Sequence, residues 1–272
     1  MLFQISTPLG NERSPAFMDQ VLTVIHQANA RRLPISLNYW CAPHTVTLLV
    51  RYPPELKAIV EGQLANAYPE CKVSRLPEDA LDPPKGFATY RAYLSFRPEI
   101  FLLRDYSQFE DKLKRTVVDP ITGLLSTLTP EKRNPLYPRI EITLRPASRF
   151  RCRMAECIVR RITHPFFVAH PFLAILYARA VTSRSVLIRC LARCCGSVVT
   201  QAGKHRAPGT RAAHVGAFEK CNGTLFDTQI RLTVFAPKGR AERAKAKIRE
   251  IAGAFGQFNP ARLIAFELSH IR

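Results

Sequence analysis

Acidic residues are scarce in this chain of 272 residues, and their scarcity leaves a large positive charge. The sequence holds 21 aspartates and glutamates against 40 lysines and arginines, which gives a formal net charge of +19 at pH 7. Such an excess attracts polyanions, either a nucleic acid backbone or an anionic membrane surface. The arginine-rich usage of a GC-rich genome would give the same excess, and composition leaves both interpretations open.

Long apolar runs are also missing. The most apolar stretch, residues 165–181, is interrupted by His170, Pro171 and Arg179, whereas a membrane-spanning helix needs about 20 predominantly apolar residues. Residues 1–7 show no basic start and no long apolar core of the kind that a secretory signal has. We therefore expect a cytoplasmic protein. Helices that lie on anionic lipid at the inner membrane remain an alternative, as in a peripheral membrane adaptor.

No known catalytic motif accompanies the charge. Gly203 and Lys204 are followed by His205, where a phosphate-binding loop has serine or threonine. The stretch KGFA at 85–88 begins like an RNA-recognition strand, but Thr89 and Ala92 replace the aromatic residues on which bases would stack. The sequence therefore predicts no catalytic residue, no cofactor and no enzyme activity.

The eight cysteines are too few and too irregularly spaced for a disulfide framework. Six of them lie in residues 147–223, where two have the spacing of a zinc-binding pair without a matching second pair. We predict no metal site and interpret these thiols as small, partly buried side chains. The residues that would form the zinc alternative are Cys190, Cys194, Cys195, His205, His214 and Cys221.

The sequence does contain one pattern of secondary structure twice. Strand, helix, strand, strand, helix and strand follow one another in residues 1–76 and again in residues 87–146 plus 224–272. This is the ferredoxin-like order. We predict an α+β protein of two tandem ferredoxin-like (βαββαβ) domains joined by a proline-rich linker at residues 77–86.

Alternation within the second copy predicts strands that are solvated on one side. Ile140 and Ile142 alternate with Arg139 and Glu141, and the strand at 226–234 likewise places charged and polar residues such as Arg231 and Thr233 opposite its apolar ones. These polar residues are expected to face water.

A basic insertion, residues 147–223, interrupts the second domain. It holds 13 lysines and arginines against two acidic residues, which is more than half of the excess charge of the chain. We predict helices at 149–162, 171–181 and 183–195 and little order at 196–223, where apolar area is scarce. The candidate contacts to nucleic acid or to an anionic surface are Arg149, Arg151, Arg153, Arg160, Arg161, Arg184, Arg189 and Arg193.

Four stretches carry a family resemblance: PELKAIVEGQLANAYP at 54–69, RPEIFLLRDYSQFEDKLKRTVVDPITG at 97–123, ARAVTSR at 178–184 and FAPKGRAERAKAKIREIAGAFGQFN at 235–259. In these stretches, and in the same order over nearly the whole chain, the sequence resembles the region that precedes the motor in bacterial type IV secretion and conjugative DNA transfer ATPases of the coupling-protein type. The motifs are long, but they are structural rather than catalytic.

The resemblance implies a partner that hydrolyses ATP, since family members continue into an ATPase domain with a P-loop and a Walker B acid. No P-loop occurs in these 272 residues. We therefore expect a non-catalytic accessory or N-terminal module that serves assembly or substrate docking with a separate motor ATPase. A split-gene product and a truncated relic are the alternatives within the family. Outside it, a stand-alone protein that binds nucleic acid without sequence preference remains open.

Overall fold

The computed structural model describes residues 1–6, 16–41, 46–83, 85–97, 110–111, 116–117, 120–129, 136–162, 164, 166–167, 170–183, 188, 192, 224–259 and 265–272. The first half contains two helices and four strands, with a short 3-10 turn at Pro54–Leu56. These elements are β1 (Leu2–Ser6), α1 (Ala16–Ala28), β2 (Ile35–Cys41), β3 (Val46–Arg51), α2 (Lys57–Ala67) and β4 (Lys72–Leu76).

The second half begins after a 3-10 turn at Glu78–Leu81, and a further such turn, Phe255–Phe258, follows its last helix. Its main strands are longer than those of the first half. The elements are β5 (Phe87–Arg97), β6 (Glu110–Asp111), β7 (Thr116–Val117), α3 (Pro120–Ser126), β8 (Tyr137–Pro146), α4 (Arg149–Ile162), α5 (Pro171–Val181), β9 (Phe226–Pro237), α6 (Ala241–Ala254) and β10 (Ala265–Leu268).

Strands of both halves form one antiparallel sheet of eight strands in the order β10-β5-β9-β8-β2-β3-β1-β4, while β6 and β7 pair separately. The repeated sequence pattern corresponds to a repeated strand order, β10-β5-β9-β8 in one half and β4-β1-β3-β2 in the other. β2 and β8 join the halves, in a register that runs from Ile35 opposite Leu144 to Trp40 opposite Arg139.

The prediction of two tandem ferredoxin-like domains is therefore wrong, because the two halves share a continuous sheet. Each half would otherwise expose an edge strand, β2 or β8, with unpaired N–H and C=O groups. Pairing these two edges satisfies both sets of groups and lets one sheet run through the molecule. Hydrophobic alternation predicts where strands occur and which face is apolar, but it does not specify which edge a strand will pair with.

One face of this sheet carries the helices and the main core. In the second half, buried residues from β5, β8 and β9 pack against α3 and α6, and in the first half β1, β2 and β3 pack against α1 and α2. The largest fully buried side chains on this side include Ile140, Leu232, Ile248, Ile251 and Val60. Their positions in β8 and β9 follow the predicted alternation.

The opposite face of the sheet has a small apolar cluster at one end and polar side chains in the middle. Leu2 and Leu49 pack there against Leu81, which belongs to the 3-10 turn in the segment predicted as a linker. Arg139, Glu141 and Thr233, which were expected to face water, are buried on this face, and so is Asn38.

The described part of the insertion folds into two packed helices. Helices α4 and α5 have the bounds that the sequence predicts for them, and they share a small core that includes Ile158, Ile162 and Tyr177. In the described part of the chain, no helix combines the length and the hydropathy that crossing a bilayer requires. The predicted loose segment 196–223 and most of the predicted helix at 183–195 lie outside the described residues.

Candidate functional site

Five of the eight candidate arginines lie on one helix. The structure places Arg149, Arg151, Arg153, Arg160 and Arg161 on α4. Arg184, Arg189 and Arg193 lie outside the described residues, as do the cysteines and histidines of the zinc alternative, Cys190, Cys194, Cys195, His205, His214 and Cys221. Among the described residues, no group of three histidine, cysteine or acidic side chains could hold a metal ion.

Three of the α4 arginines form an exposed ridge. Arg149, Arg153 and Arg160 are all exposed, and their spacing of four and seven residues places them along one stripe of the helix. The buried residues Ile158 and Ile162 lie on the opposite side. This ridge presents basic charge away from the protein, and Glu156 is the one acidic residue on α4.

The other two arginines of α4, Arg151 and Arg161, contact other elements of the fold. Arg151 Nε lies 3.1 Å from a carboxylate oxygen of Asp227 at the start of β9. Arg161 Nη1 donates a hydrogen bond of 3.0 Å to the Tyr177 hydroxyl on α5, and this bond raises the pKa of Arg161. These two side chains hold α4 in place, so the arginines predicted as one binding set divide into a ridge and an anchor.

Large apolar side chains are exposed on the same two helices. Phe150 of α4 is 73% exposed, and on α5 Phe172 is 60% and Leu176 54% exposed. Leu173 is exposed as well, while Ala174 and Ala178 on the other side of α5 are buried in the shared core. Phe172, Leu173 and Leu176 lie close together on one side of α5, and apolar side chains grouped on a surface typically mark a site of interaction.

The α4–α5 hairpin is attached to the sheet at both of its helices. Asp227 forms ion pairs with Arg151 of α4 and, at 3.3 Å, with Arg32 in the connection between α1 and β2. Arg179 of α5 forms an ion pair with Glu267 on the edge strand β10. At the start of α4, the Arg151 amide donates to Ser148 Oγ at 3.2 Å, which caps the helix. The exposed residues of the hairpin therefore project from a defined support.

A second cluster, which the sequence analysis missed, lies on the sheet face opposite the helices. Thr233 of β9 pairs with Arg139 of β8 on one side and with Arg91 of β5 on the other. Arg231 precedes Thr233 by two residues and so lies on the same face. Glu141 is the cross-strand partner of Arg231. We call Arg91, Arg139, Glu141, Arg231 and Thr233 the sheet-face cluster.

Glu141 connects two arginines of the sheet-face cluster, Arg231 by hydrogen bonds and Arg139 by an ion pair. Arg231 donates from Nε to Glu141 Oε2 at 2.9 Å and also from Nη2 to the same oxygen. Arg139 Nη2 lies 3.8 Å from this oxygen, and Arg139 Nη1 donates to the Leu81 carbonyl at 3.1 Å. The guanidinium of Arg139 also lies 5.7 Å from the centroid of the Phe235 ring. One carboxylate therefore serves two arginines.

Positive charge exceeds negative charge around Arg139. The pKa of Arg139 is lowered to about 10, chiefly by burial; the nearby charges of Arg231, Arg51 and Arg91 act in the same direction, and Glu141 opposes them. Arg51 also meets Glu78, at 3.5 Å, on the exposed 3-10 turn. The cluster is thus buried at Arg139 and opens to solvent at Arg91.

Several buried polar atoms of this face lack a hydrogen-bond partner among the described residues. They are Thr233 Oγ1, Arg139 Nε, Arg51 Nε and Asn38 Oδ1. Thr233 is fully buried and Asn38 is almost so. Buried polar groups are nearly always paired in folded proteins, and each exception calls for an explanation. Three of the four atoms can donate a hydrogen bond.

Aromatic rings adjoin the arginines of the sheet-face cluster. Trp40 is the cross-strand partner of Arg139, and its ring stacks with Tyr137 at 6.5 Å and meets Phe235 edge-on at 5.5 Å. Phe87 packs on Tyr137 at 5.4 Å. Trp40, Tyr137 and Phe87 are partly buried, so part of each ring remains accessible.

Sequence reasoning missed this cluster because alternation treats every polar position of a strand as solvated. Arg139 and Thr233 fall in different strands, separated by the whole insertion, and only the strand register brings them together. A signal was present, since β5, β8 and β9 each carry an arginine within an otherwise apolar or aromatic stretch, at Arg91, Arg139 and Arg231. Only the strand order shows that these three arginines lie together.

Comparisons with known proteins assign no family to the chain. No family model matches it, and no curated protein matches it. One solved structure, a glycopeptide hexose oxidase complexed with teicoplanin, matches with 10% sequence identity and a TM-score of 0.32. The match covers 97% of this chain and 43% of that chain, so this chain spans less than half of the oxidase.

The prediction that the chain is not an enzyme is corrected: the protein that this match names is an enzyme, and missing motifs do not establish that a chain is non-catalytic. A TM-score of 0.32 carries no argument for oxidase chemistry or for any other activity of this chain.

Proposed function

We propose that the chain is an accessory module of a bacterial type IV secretion or conjugative DNA transfer system, and that the α4–α5 hairpin docks it onto a separately encoded motor ATPase. The observation that carries the proposal is the exposed apolar surface of the hairpin, formed by Phe172, Leu173 and Leu176 on α5. Under this proposal the protein works in the cytoplasm, at the periphery of the inner membrane.

The composition of the hairpin supports a protein partner. Protein interfaces are enriched in aromatic residues and arginine, and a few large side chains carry most of the binding energy. Phe172 and Leu176 supply such apolar anchors, and the ridge of Arg149, Arg153 and Arg160 supplies charge. The expected partner surface is an apolar groove with acidic residues at its rim.

The attachment of the hairpin supports a docking role as well. A helix pair with its own core and ion pairs to the sheet, through Arg151 and Arg179, presents its surface in a fixed orientation. A preorganised surface loses less entropy on binding. The choice of a motor ATPase as the partner rests on the sequence resemblance alone.

Co-purification of the tagged chain with the motor ATPase encoded beside it tests the proposal. The wild-type chain should retain the motor, and the double variant Phe172→Ser/Leu176→Ser should lose it, because both anchors are exposed and their replacement leaves the core intact. Val73→Ser on β4, another exposed apolar residue, is the matched control. Equal retention by all three chains, or retention by none, would reject the docking role.

Nucleic-acid binding is the second candidate function, and the α4 ridge is the observation that favours it. Three exposed arginines on one helical stripe suit the phosphates of a duplex. Binding should be independent of sequence and should weaken steeply with salt, because each neutralised phosphate releases counterions. An affinity that does not change between dilute and physiological salt would rule it out.

Charge-matched variants separate this function from docking. Arg149→Gln/Arg153→Gln/Arg160→Gln should reduce the salt slope of duplex binding, whereas a control with the exposed residues Lys72, Arg240 and Arg249 changed to glutamine should not. Sedimentation with anionic vesicles, done with the same two variants and with Phe172→Ser/Leu176→Ser, tests the peripheral membrane adaptor. Loss of vesicle binding in the apolar variant would favour lipid over duplex.

A further inference from the structure

The sheet-face cluster brings three guanidinium groups around one buried hydroxyl. Arg139 and Arg91 flank Thr233 across the two neighbouring strands, and Arg231 lies two residues away on the strand of Thr233. Strands are about 4.8 Å apart and alternate residues on a strand about 6.6 Å, so the three side chains enclose Thr233 on three sides. None of these residues belongs to the α4–α5 hairpin.

The unpaired atoms of the cluster call for hydrogen-bond acceptors. Thr233 Oγ1 and Arg139 Nε are buried on adjacent strands and have no partner among the described residues. The Nε atom can only donate a hydrogen bond, and a threonine hydroxyl can also donate. A group with several negatively charged oxygens would satisfy both atoms at once.

The charge of the cluster favours the same kind of group. Arg139 and Arg231 share the carboxylate of Glu141, which Arg231 engages through two nitrogens, and Arg91 adds a third positive charge at the solvent-exposed end. Uncompensated charge in a buried setting is costly. A phosphate group would offset the excess, and its geometry matches the planar fork of arginine.

The aromatic rings narrow the chemical class of the ligand. Trp40 lies directly across from Arg139, and Tyr137 and Phe87 continue the row of rings on the same face. Bases stack on aromatic side chains in single-strand binding sites, where arginine contacts the backbone. Inorganic phosphate has no ring that could stack on these aromatic side chains, whereas a nucleotide has one.

We propose that Arg91, Arg139, Arg231 and Thr233 bind the phosphate group of a nucleotide, either free or in a single nucleic-acid strand, with the base on the Trp40 side. The site is independent of the α4 ridge and of the docking hairpin. It would let the module sense a nucleotide or hold an unpaired strand while it is docked.

Titration of the full chain with three probes tests the proposal. Calorimetry with adenosine diphosphate and with inorganic phosphate measures the small ligands, and sulfate serves as a control anion. Fluorescence anisotropy with a labelled oligothymidylate of about ten nucleotides measures the strand. Tight binding of the diphosphate alone assigns a free nucleotide, and tighter binding of the oligonucleotide assigns a strand.

Two substitutions identify the site in either case. Thr233→Val keeps the shape of the side chain and removes an unpaired buried hydroxyl, so the protein should fold at least as stably as wild type while binding weakens about tenfold. Arg91→Gln, at an exposed position, should also weaken binding about tenfold or more. Arg240→Gln is the control and should bind like wild type.

The following results would overturn the proposal. One is that neither the diphosphate nor the oligonucleotide binds to folded wild-type protein. Another is binding that Thr233→Val and Arg91→Gln leave unchanged. A third is equal affinity for sulfate, phosphate and the diphosphate, because the rings would then contribute nothing. Circular dichroism of each variant confirms that it is folded.

Discussion

Arg231 on β9 donates two hydrogen bonds to a single carboxylate oxygen of Glu141 on β8, although the two residues are 90 positions apart in sequence. The carboxylate is largely buried, and Arg139 approaches the same oxygen from its other side. One acidic side chain therefore holds together the polar centre of the sheet, and it is the residue whose loss should matter most there.

Glu141→Gln should destabilise the protein by about 3 kcal/mol, because removal of one partner leaves Arg139 and Arg231 without their counter-charge in a buried setting. Urea unfolding of the variant measures the loss. Glu156→Gln on the exposed surface of α4 is the control and should change stability by less than about 0.5 kcal/mol. Equal stability of Glu141→Gln and wild type would show that the charge of Glu141 makes no net contribution to the free energy of unfolding.

The continuous sheet predicts that both halves unfold together. Trp40, the single tryptophan, lies on β2 at the junction with β8. Ile248 is fully buried on α6 in the second half. Ile248→Ala should cost about 2–5 kcal/mol, and the fluorescence of Trp40 should report the same shifted midpoint as far-UV circular dichroism. Two separate transitions, with the Trp40 signal unshifted, would indicate independent domains.

Asp227 should control the mobility of α4, since it contacts both Arg151 of α4 and Arg32, which lies between α1 and β2. These pairs are partly exposed, so Asp227→Asn should cost only about 1 kcal/mol in overall stability. Hydrogen exchange in α4 should nevertheless become faster than exchange in β9, because the variant releases the helix locally. Asp82→Asn at an exposed position should leave exchange in α4 as in wild type.

Cys41 should be unreactive in the folded protein. Burial raises the pKa of its thiol from the ordinary 9.0 to about 11, against a smaller opposing effect of Lys247, and only the thiolate reacts readily. Peptide mapping after brief alkylation at pH 8 should find Cys157, which is exposed, modified well before Cys41. Comparable labelling of both thiols would contradict the buried environment of Cys41.

The same raised pKa gives a pH dependence of stability. The folded state binds the Cys41 proton more tightly than the unfolded state does, so the contribution is complete below pH 9 and is lost as pH rises through 11. Cys41→Ala should remove this loss between pH 9 and 11, after allowance for a lower starting stability. If the stability of Cys41→Ala depended on pH as that of the wild type does, Cys41 would not be the source of the loss.

Sequence patterns predicted the local secondary structure, but they did not predict which strands pair with each other. The strands, the α4 and α5 bounds and the apolar face of β8 follow from periodicity and from helix-forming residues, which are local properties. The junction of β2 with β8 and the burial of Thr233 depend on contacts between distant segments, so local patterns could not specify them. For the same reason, the candidate arginines of α4 were identified as a set, but their division into ridge and anchor was not.

Photo-cross-linking from position 172 tests the central claim most directly. A photoreactive amino acid in place of Phe172 should form a covalent adduct with the motor ATPase in living cells, while the same amino acid in place of Val73, on β4, should form none. An adduct at 172 alone would establish both the partner and the surface that contacts it. Adducts at 73 and not at 172, or no adduct with the motor at either position, would contradict the account.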